Sequence, residues 1–213
     1  MGRRALRKLD PALDLDSHLR SLEELPDSWR AAEWFCREAP LEIEIGSGKG
    51  LFMAAASQLR PTHDFVGVEV SAKYARFAAA KLARSQSGNA VMIHGDGLRF
   101  LREWVEDSST LAVHVYFPDP WWKKRHRRRR ILNVSFLRDV QRVLRTEGRL
   151  HFWTDVEEYF QTTLDLIDEE PNLVGPYEVQ ESPAEHDLDY RTHFERRTRI
   201  QREPVFRAEF VKR

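Results

Sequence analysis

The chain has 213 residues, with 34 Lys and Arg against 34 Asp and Glu, 41% hydrophobic residues and a single cysteine, Cys36. That length suits one domain with a sizeable core plus short extensions, and one cysteine excludes an internal disulfide or a cysteine-built metal site. No apolar run approaches the roughly 20 residues of a membrane span, and the basic start from Met1 to Asp10 lacks the apolar stretch of a signal peptide, so a cytoplasmic protein with no membrane attachment is expected.

Residues 1–40 read as an irregular or helical lead-in, in which Ser28 to Phe35 spaces its aromatics to pack one helical face on a main domain over 41–213. Leu41 to Ile45 is a short apolar strand ending at glycines, and Leu51 to Leu59 is helical in composition, stopping near Pro61. Phe65 to Val70 is a valine-rich strand, after which Ser71 can cap an alanine-rich helix reaching about Arg84. Ala90 to His94 and Leu111 to Phe117 read as further strands, with a helix from about Leu98 to Val105 between them. Val134 to Leu144 has helical apolar spacing, Arg149 to Thr154 is a strand and Val156 to Ile167 a helix. Glu178 to Phe210 is expected to supply two closing strands, with Pro204 at an edge position. Such alternation predicts an α/β fold, a mostly parallel seven-stranded sheet with helices on both faces.

In open parallel sheets ligands lie beyond the carboxyl ends of the strands, so the residues just after each strand carry the chemistry. The first strand runs into Glu44-Ile45-Gly46-Ser47-Gly48-Lys49-Gly50. Glycines let the backbone turn tightly and approach a ligand closely. The spacing differs from the G-x-G-x-x-G of dinucleotide sites, and an acid two residues before the first glycine would repel a pyrophosphate. It suits the cationic amino end of S-adenosyl-L-methionine. Glu69, at the end of the second strand, can accept both hydroxyls of a ribose; Asp96, in Gly95-Asp96-Gly97, can accept from an adenine amino group. Taken singly each is as readily a turn residue, but three acids at successive strand ends favour a Rossmann-like S-adenosylmethionine-dependent methyltransferase fold over a nicotinamide site.

The fourth strand ends in Phe117-Pro118-Asp119-Pro120-Trp121-Trp122, followed by Lys123 to Arg130, where seven of eight residues are Lys or Arg. The zero net charge therefore hides a basic patch, opposed by twelve acids and no Lys or Arg between Asp155 and Asp189. Two prolines fix the backbone around Asp119, the tryptophans offer flat faces for base stacking, and the cations suit phosphates. A proline turn followed by a solvated basic loop is the plainer alternative. The eight histidines are scattered without metal-ligand spacing, so no structural metal is expected.

Phe117 to Arg130 resembles the signature of the tRNA (guanine-N7-)-methyltransferase family, the bacterial TrmB type. The likeness extends to Glu44–Gly50, Gly67–Val70, Thr154-Asp155 and Thr192–Glu195, and so covers about Leu41 to Phe210. It implies methyl transfer from S-adenosyl-L-methionine to N7 of the variable-loop guanine of tRNA. Glu44, Gly46, Gly48, Gly50, Glu69, Asp96 and Asp119 would bind the cofactor, with Asp119 also between it and the target base as the catalytic residue. Lys123, Arg125, Asp155, Thr192, His193, Phe194 and Glu195 would contact the substrate. On the residues alone, Asp155 is one acid in an acid-rich segment and Phe194 equally an edge-strand core residue. One departure stands out: where relatives carry a glycine before the last strand, this chain has Arg202-Glu203-Pro204. Guanine N7 holds an in-plane lone pair and attacks without losing a proton, so positioning rather than general base catalysis is expected. The alternatives are a methyltransferase acting on another RNA or amine and a non-catalytic RNA-binding relative. The sequence leaves a monomer, a homodimer and an assembly with a partner subunit all open.

Overall fold

The computed structural model describes residues 6, 8–170, 172–181, 183–184, 186 and 189–213. Most of the basic start from Met1, and Glu185 and Asp187 of the acidic stretch, lie outside the described residues. The strands are β1 (Leu19–Ser21), β2 (Leu41–Ile45), β3 (Asp64–Glu69), β4 (Ala90–His94), β5 (Thr110–Tyr116), β6 (Leu144–Thr154), β7 (Leu173–Glu178) and β8 (Phe206–Lys212). They form one sheet in the order β1-β4-β3-β2-β5-β6-β8-β7, parallel except for β8, which runs antiparallel to both its neighbours. The helices are α1 (Ala31–Phe35), α2 (Leu51–Leu59), α3 (Ala72–Arg84), α4 (Gly97–Glu103), α5 (Val134–Val143), α6 (Glu157–Asp168) and α7 (His193–Ile200).

Side chains of a strand alternate between faces, and the two faces here differ in kind. Ile43, Ile45, Val113, Val115, Leu150 and Phe152 point into the larger core, which α4, α5 and α6 close with Phe100, Leu101, Phe136, Leu137, Val140 and Tyr159. On the other face α2 and α3 contribute Phe52, Met53, Ala78, Ala79 and Leu82 to a smaller core. Alternation puts Glu42, Glu44, His114, Tyr116 and Trp153 on this second face, where all five are buried. A carboxylate removed from water must find a partner or lose its charge, and the two acids of β2 resolve this differently. Glu42 accepts hydrogen bonds from His114 Nε2 at 2.7 Å, His63 Nδ1 at 2.6 Å and Arg60 Nη1 at 2.7 Å. Glu44 leaves its Oε2 without a partner.

Three expectations are corrected. The sheet has eight strands rather than seven, because β1 in the lead-in pairs in parallel with β4 through Leu19↔Met92. Leu22 and Trp29 follow it into the core, Trp29 edge-on to Phe100 at 5.3 Å, so the expected aromatic packing of this segment is present. The two closing strands are present, but β7 ends where the expected range begins, at Glu178, and β8 starts only at Phe206, with residues 193–200 between them helical. Thr192 Oγ1 accepts from Glu195 N at 3.0 Å while the Glu195 carboxylate accepts from Arg191 N at 2.6 Å, an arrangement that caps a helix start. Pro204 does not mark an edge, since β8 lies between β6 and β7; it precedes the strand, where its missing N–H breaks no ladder bond.

Candidate active site at the carboxyl ends of the strands

The order β4-β3-β2-β5-β6 places the connections leaving β2 and β5 side by side, on opposite sides of the point where the strand order reverses. On the β2 side Gly46, Gly48 and Gly50 take φ of +81°, +53° and +63°, a region costly for residues with a Cβ. At Gly50 space adds a second constraint, because a methyl there would sit 2.5 Å from Ala78 Cβ. At Gly46 and Gly48 a Cβ would meet nothing within 4 Å, so the turn faces open space. The amide of Gly48 donates to Glu69 Oε2 at 2.8 Å and that of Ser71 to Glu69 Oε1 at 2.8 Å. Glu69 is thereby clamped by backbone with further lone pairs on each oxygen available to a pair of hydroxyls.

Beneath the turn, burial pushes the Glu44 carboxyl up to about 8; the Glu69 charge adds to this, and Ser47 and Lys81 offset it only in part. A buried carboxyl with one oxygen unpartnered below a glycine turn fits a cationic amino group, and Glu69 fits a ribose. The residues present therefore suit S-adenosylmethionine. Asp96, exposed after β4, caps α4: its Oδ1 accepts from Leu98 N at 2.9 Å and Arg99 N at 3.4 Å, leaving Oδ2 for another donor.

On the β5 side, Phe117 and Trp121 both adopt positive φ, +50° and +48°, on either side of Pro118-Asp119-Pro120. Left-handed backbone at two aromatic residues is strained, and such strain persists only where the surroundings enforce it. Phe117 is held by its amide, which donates to Trp153 O at 2.8 Å, and Trp121 by Arg129, stacked 5.0 Å above its ring, and His126, edge-on at 5.9 Å. Asp119 is exposed between them, and its charge is felt by the Tyr159 hydroxyl. Trp122 is 70% exposed.

The basic run divides by role. Lys124 to Arg129 form a 3₁₀ turn whose Lys124, Arg125, Arg127, Arg128 and Arg129 are exposed, with Lys123 exposed just before it. Arg130 is buried, and its guanidinium is spent inside the protein: Nη2 donates to Glu158 Oε2 at 2.6 Å and Nε to Pro120 O at 2.9 Å, with the Tyr159 ring 4.4 Å away. A run of like charges gave no sign that its last member is a structural anchor.

Asp155 follows β6, half-buried, on the same edge. Of the α7 residues, His193 and Phe194 are exposed, Phe194 stacking on Phe117 at 6.3 Å and so joining the helix to the Asp119 loop. Thr192 and Glu195 have internal partners. Glu195 is buried, and besides its bond from Arg191 N it meets Arg199 at 3.3 Å and Arg207 at 3.4 Å. Sequence reasoning missed Arg191, whose guanidinium lies 5.8 Å from the Phe52 ring and 5.9 Å from that of Trp153. It also missed Lys81, which reaches His193 from α3 at 3.3 Å. The T-x-x-E spacing of Thr192 to Glu195 was the available signal for the helix.

A mostly parallel sheet, a glycine turn after its first central strand and acids at the next two strand ends define the class of S-adenosylmethionine-dependent methyltransferase folds. Solved structures agree on the fold: the antibiotic-resistance methyltransferase Kmr superposes with a TM-score of 0.59 at 13% identity, over 90% of this chain and 96% of that one. An S-adenosylmethionine-dependent O-methyltransferase from Thermotoga maritima gives 0.56 at 16% identity, over 85% and 62%. A family model described as "Putative methyltransferase" matches residues 38–208. The tRNA (guanine-N(7)-)-methyltransferase of Rhodopirellula baltica is 49% identical over 219 residues, covering 100% of this chain and 81% of its own. That of Xylella fastidiosa strain M12 is 33% identical over 185 residues, covering 87% and 72%. The chain belongs to the tRNA (guanine-N(7)-)-methyltransferase family.

Proposed function

We propose that this protein transfers the methyl group of S-adenosyl-L-methionine to N7 of the variable-loop guanine of tRNA, acting in the cytoplasm. The observation that carries the reading is Asp119: a carboxylate fixed between two prolines at the end of β5, beside the glycine turn of β2 and in front of an exposed cluster of cations. The 49% identity to a relative of that name over the whole chain supports the same reaction.

Bound S-adenosylmethionine supplies a methyl group activated by its sulfonium. Glu44 would take the amino end, Glu69 the ribose hydroxyls and the Oδ2 of Asp96 the adenine amino group, while Gly46, Gly48 and Gly50 would let the backbone pass close beneath. Asp119 accepts from the N1–H and amino edge of guanine, which turns N7 toward the methyl carbon and favours the positive charge the ring gains. The chemistry the cofactor would supply is transfer of its methyl group to the N7 lone pair, with the thioether as leaving group. No proton moves in that step, so no general base is required. Lys123 and Arg125 hold phosphates. Asp155, with His193 and Phe194 on α7, lies on the substrate side, and Thr192 and Glu195 act by fixing the start of that helix.

Asp119→Asn tests the assignment. Turnover on tRNA should fall about 100-fold or more, as for loss of one transition-state hydrogen bond, with cofactor affinity unchanged within a few-fold. Near-normal turnover would remove Asp119 from the chemistry. Replacing Lys123 and Arg125 by neutral residues should weaken tRNA binding and flatten its salt dependence by roughly one logarithmic unit for each phosphate left without its cation.

A further inference from the structure

An amino acid carries its ammonium and its carboxylate on one carbon, so a site that reads both needs an acid and a base side by side. The acid here is Glu44. Helix α3 closes on the glycine turn at Ala78, against Gly50, and one turn further along the same face stands Lys81, a residue to which neither the glycine turn nor the basic run draws attention. Its stem is half-buried, and the ammonium lies 5.5 Å over the Phe77 ring and 3.3 Å from His193 Nε2. Glu44 and Lys81 feel each other's charge, and Lys81 also feels that of Lys49 in the glycine turn. Among the described residues the hydrogen-bond partner of the Lys81 ammonium is thus a histidine nitrogen, not a carboxylate. Arg191, the next cation along, rests against the faces of Phe52 and Trp153.

We propose that Lys81, with His193 beside it, forms a subsite for the carboxylate of the amino-acid end of the cofactor, while Glu44 takes the ammonium of the same group. The proposal rests on the cofactor reading above and extends it to residues on two elements that reading does not join. Electrostatics agree with the geometry: burial and the Lys49 charge hold the Lys81 ammonium down to about 8, with Glu44 working in the other direction, so an arriving anion relieves a desolvated cation. Because His193 opens α7, the subsite also links cofactor binding to the helix proposed to face tRNA.

The test compares S-adenosylmethionine with its decarboxylated analogue, which keeps the sulfonium, the adenosine and the amine, by calorimetric titration of wild type and Lys81→Met. Wild type should prefer the carboxylated ligand by about tenfold or more, the scale of one charge-assisted hydrogen bond. Lys81→Met, which keeps the apolar stem, should bind the two within about twofold of each other, and Lys81→Arg should keep most of the preference. A Lys81→Met protein with the wild-type ratio, whether or not both affinities drop, would overturn the proposal, because a merely structural role weakens both ligands alike. Wild type binding S-adenosylmethionine without preference for the carboxylate would also overturn it. Wild type binding neither ligand would instead overturn the cofactor reading and the subsite with it.

Discussion

Arg130 holds the loop of Asp119 in place through Pro120: its Nε donates to the Pro120 carbonyl at 2.9 Å while the same guanidinium grips Glu158 on α6 at 2.6 Å. One planar cation thus ties the strained P-D-P turn to a helix of the main core, a task that needs a fork of donors and that a lysine cannot perform.

Arg130→Ala should therefore lower stability by about 2 kcal/mol, the scale of hydrogen bonds to charged groups. It should also cut turnover about tenfold by loosening Asp119, with S-adenosylmethionine affinity retained. Arg128→Ala, on the exposed turn, should leave stability within about 0.5 kcal/mol and act on tRNA affinity instead. Denaturant midpoints and single-turnover rates of the two variants check the division of the basic run into anchor and surface.

Cofactor binding should release protons. Glu44 is pushed up to about 8 by burial, so at pH 7 it is mostly neutral before a cationic amino group arrives and must ionise to receive it. A raised acid binds the cation better as pH climbs toward that value, so affinity should tighten from about pH 6 to 7.5, below the range near 8 where Lys81 gives up its charge. At pH 7 the binding enthalpy should depend on the ionisation enthalpy of the buffer, with close to one proton released. Glu44→Gln should abolish both effects. A binding enthalpy identical in phosphate and Tris would contradict this role for Glu44.

The neighbouring acid titrates with the opposite sign. Burial works to raise Glu42, but the hydrogen bond and charge of His114, with Arg60 and His63, outweigh it and hold Glu42 at about 2, so its contribution persists above about 4.5 and is lost only as pH falls through 2. His114, pushed down to about 3 by burial and by His151, stays neutral, donating Nε2–H to Glu42 and accepting at Nδ1 from the Tyr116 hydroxyl. Below its ordinary value of 6.5 the unfolded chain takes up a proton there that the folded chain refuses. Stability should then fall from pH 6 to 5, with His114 supplying up to about 1.4 kcal/mol per unit. His114→Gln should flatten that slope in urea titrations.

Arg202→Gly should stabilise the protein. Arg202 sits at φ +57° just past α7, its amide donating to Arg199 O and that of Glu203 to Thr198 O, a helix ending that favours glycine. The backbone here keeps a glycine's conformation without the glycine. Removing the Cβ should gain up to about 1 kcal/mol, less the added freedom of the unfolded chain, read as a higher melting temperature.

Much of this architecture was legible because hydrophobic alternation is a local signal. Strands β2 to β5 and helices α2, α3 and α5 fall within a residue or two of where their apolar spacing puts them. What escaped was set by partners distant in sequence. Leu19 to Ser21 is a strand only because β4 offers an edge, and three residues carry no period of their own. Arg130 differs from Arg129 by a single position, and only the fold brings Glu158 to one and Trp121 to the other. The acids at the strand ends could be read from the chain, but not the state of Glu44, which depends on how deeply the fold buries it.

Guanine-N7 transfer to tRNA is decided by incubating the protein with labelled S-adenosylmethionine and an unmodified tRNA transcript, then mapping the label to a nucleoside and a position. The expected product is 7-methylguanosine in the variable loop, with no label when that guanine is replaced by 7-deazaguanine, which lacks the attacking nitrogen. Label at another atom or nucleoside, or cofactor binding with no transfer to any tRNA, would contradict the proposed reaction.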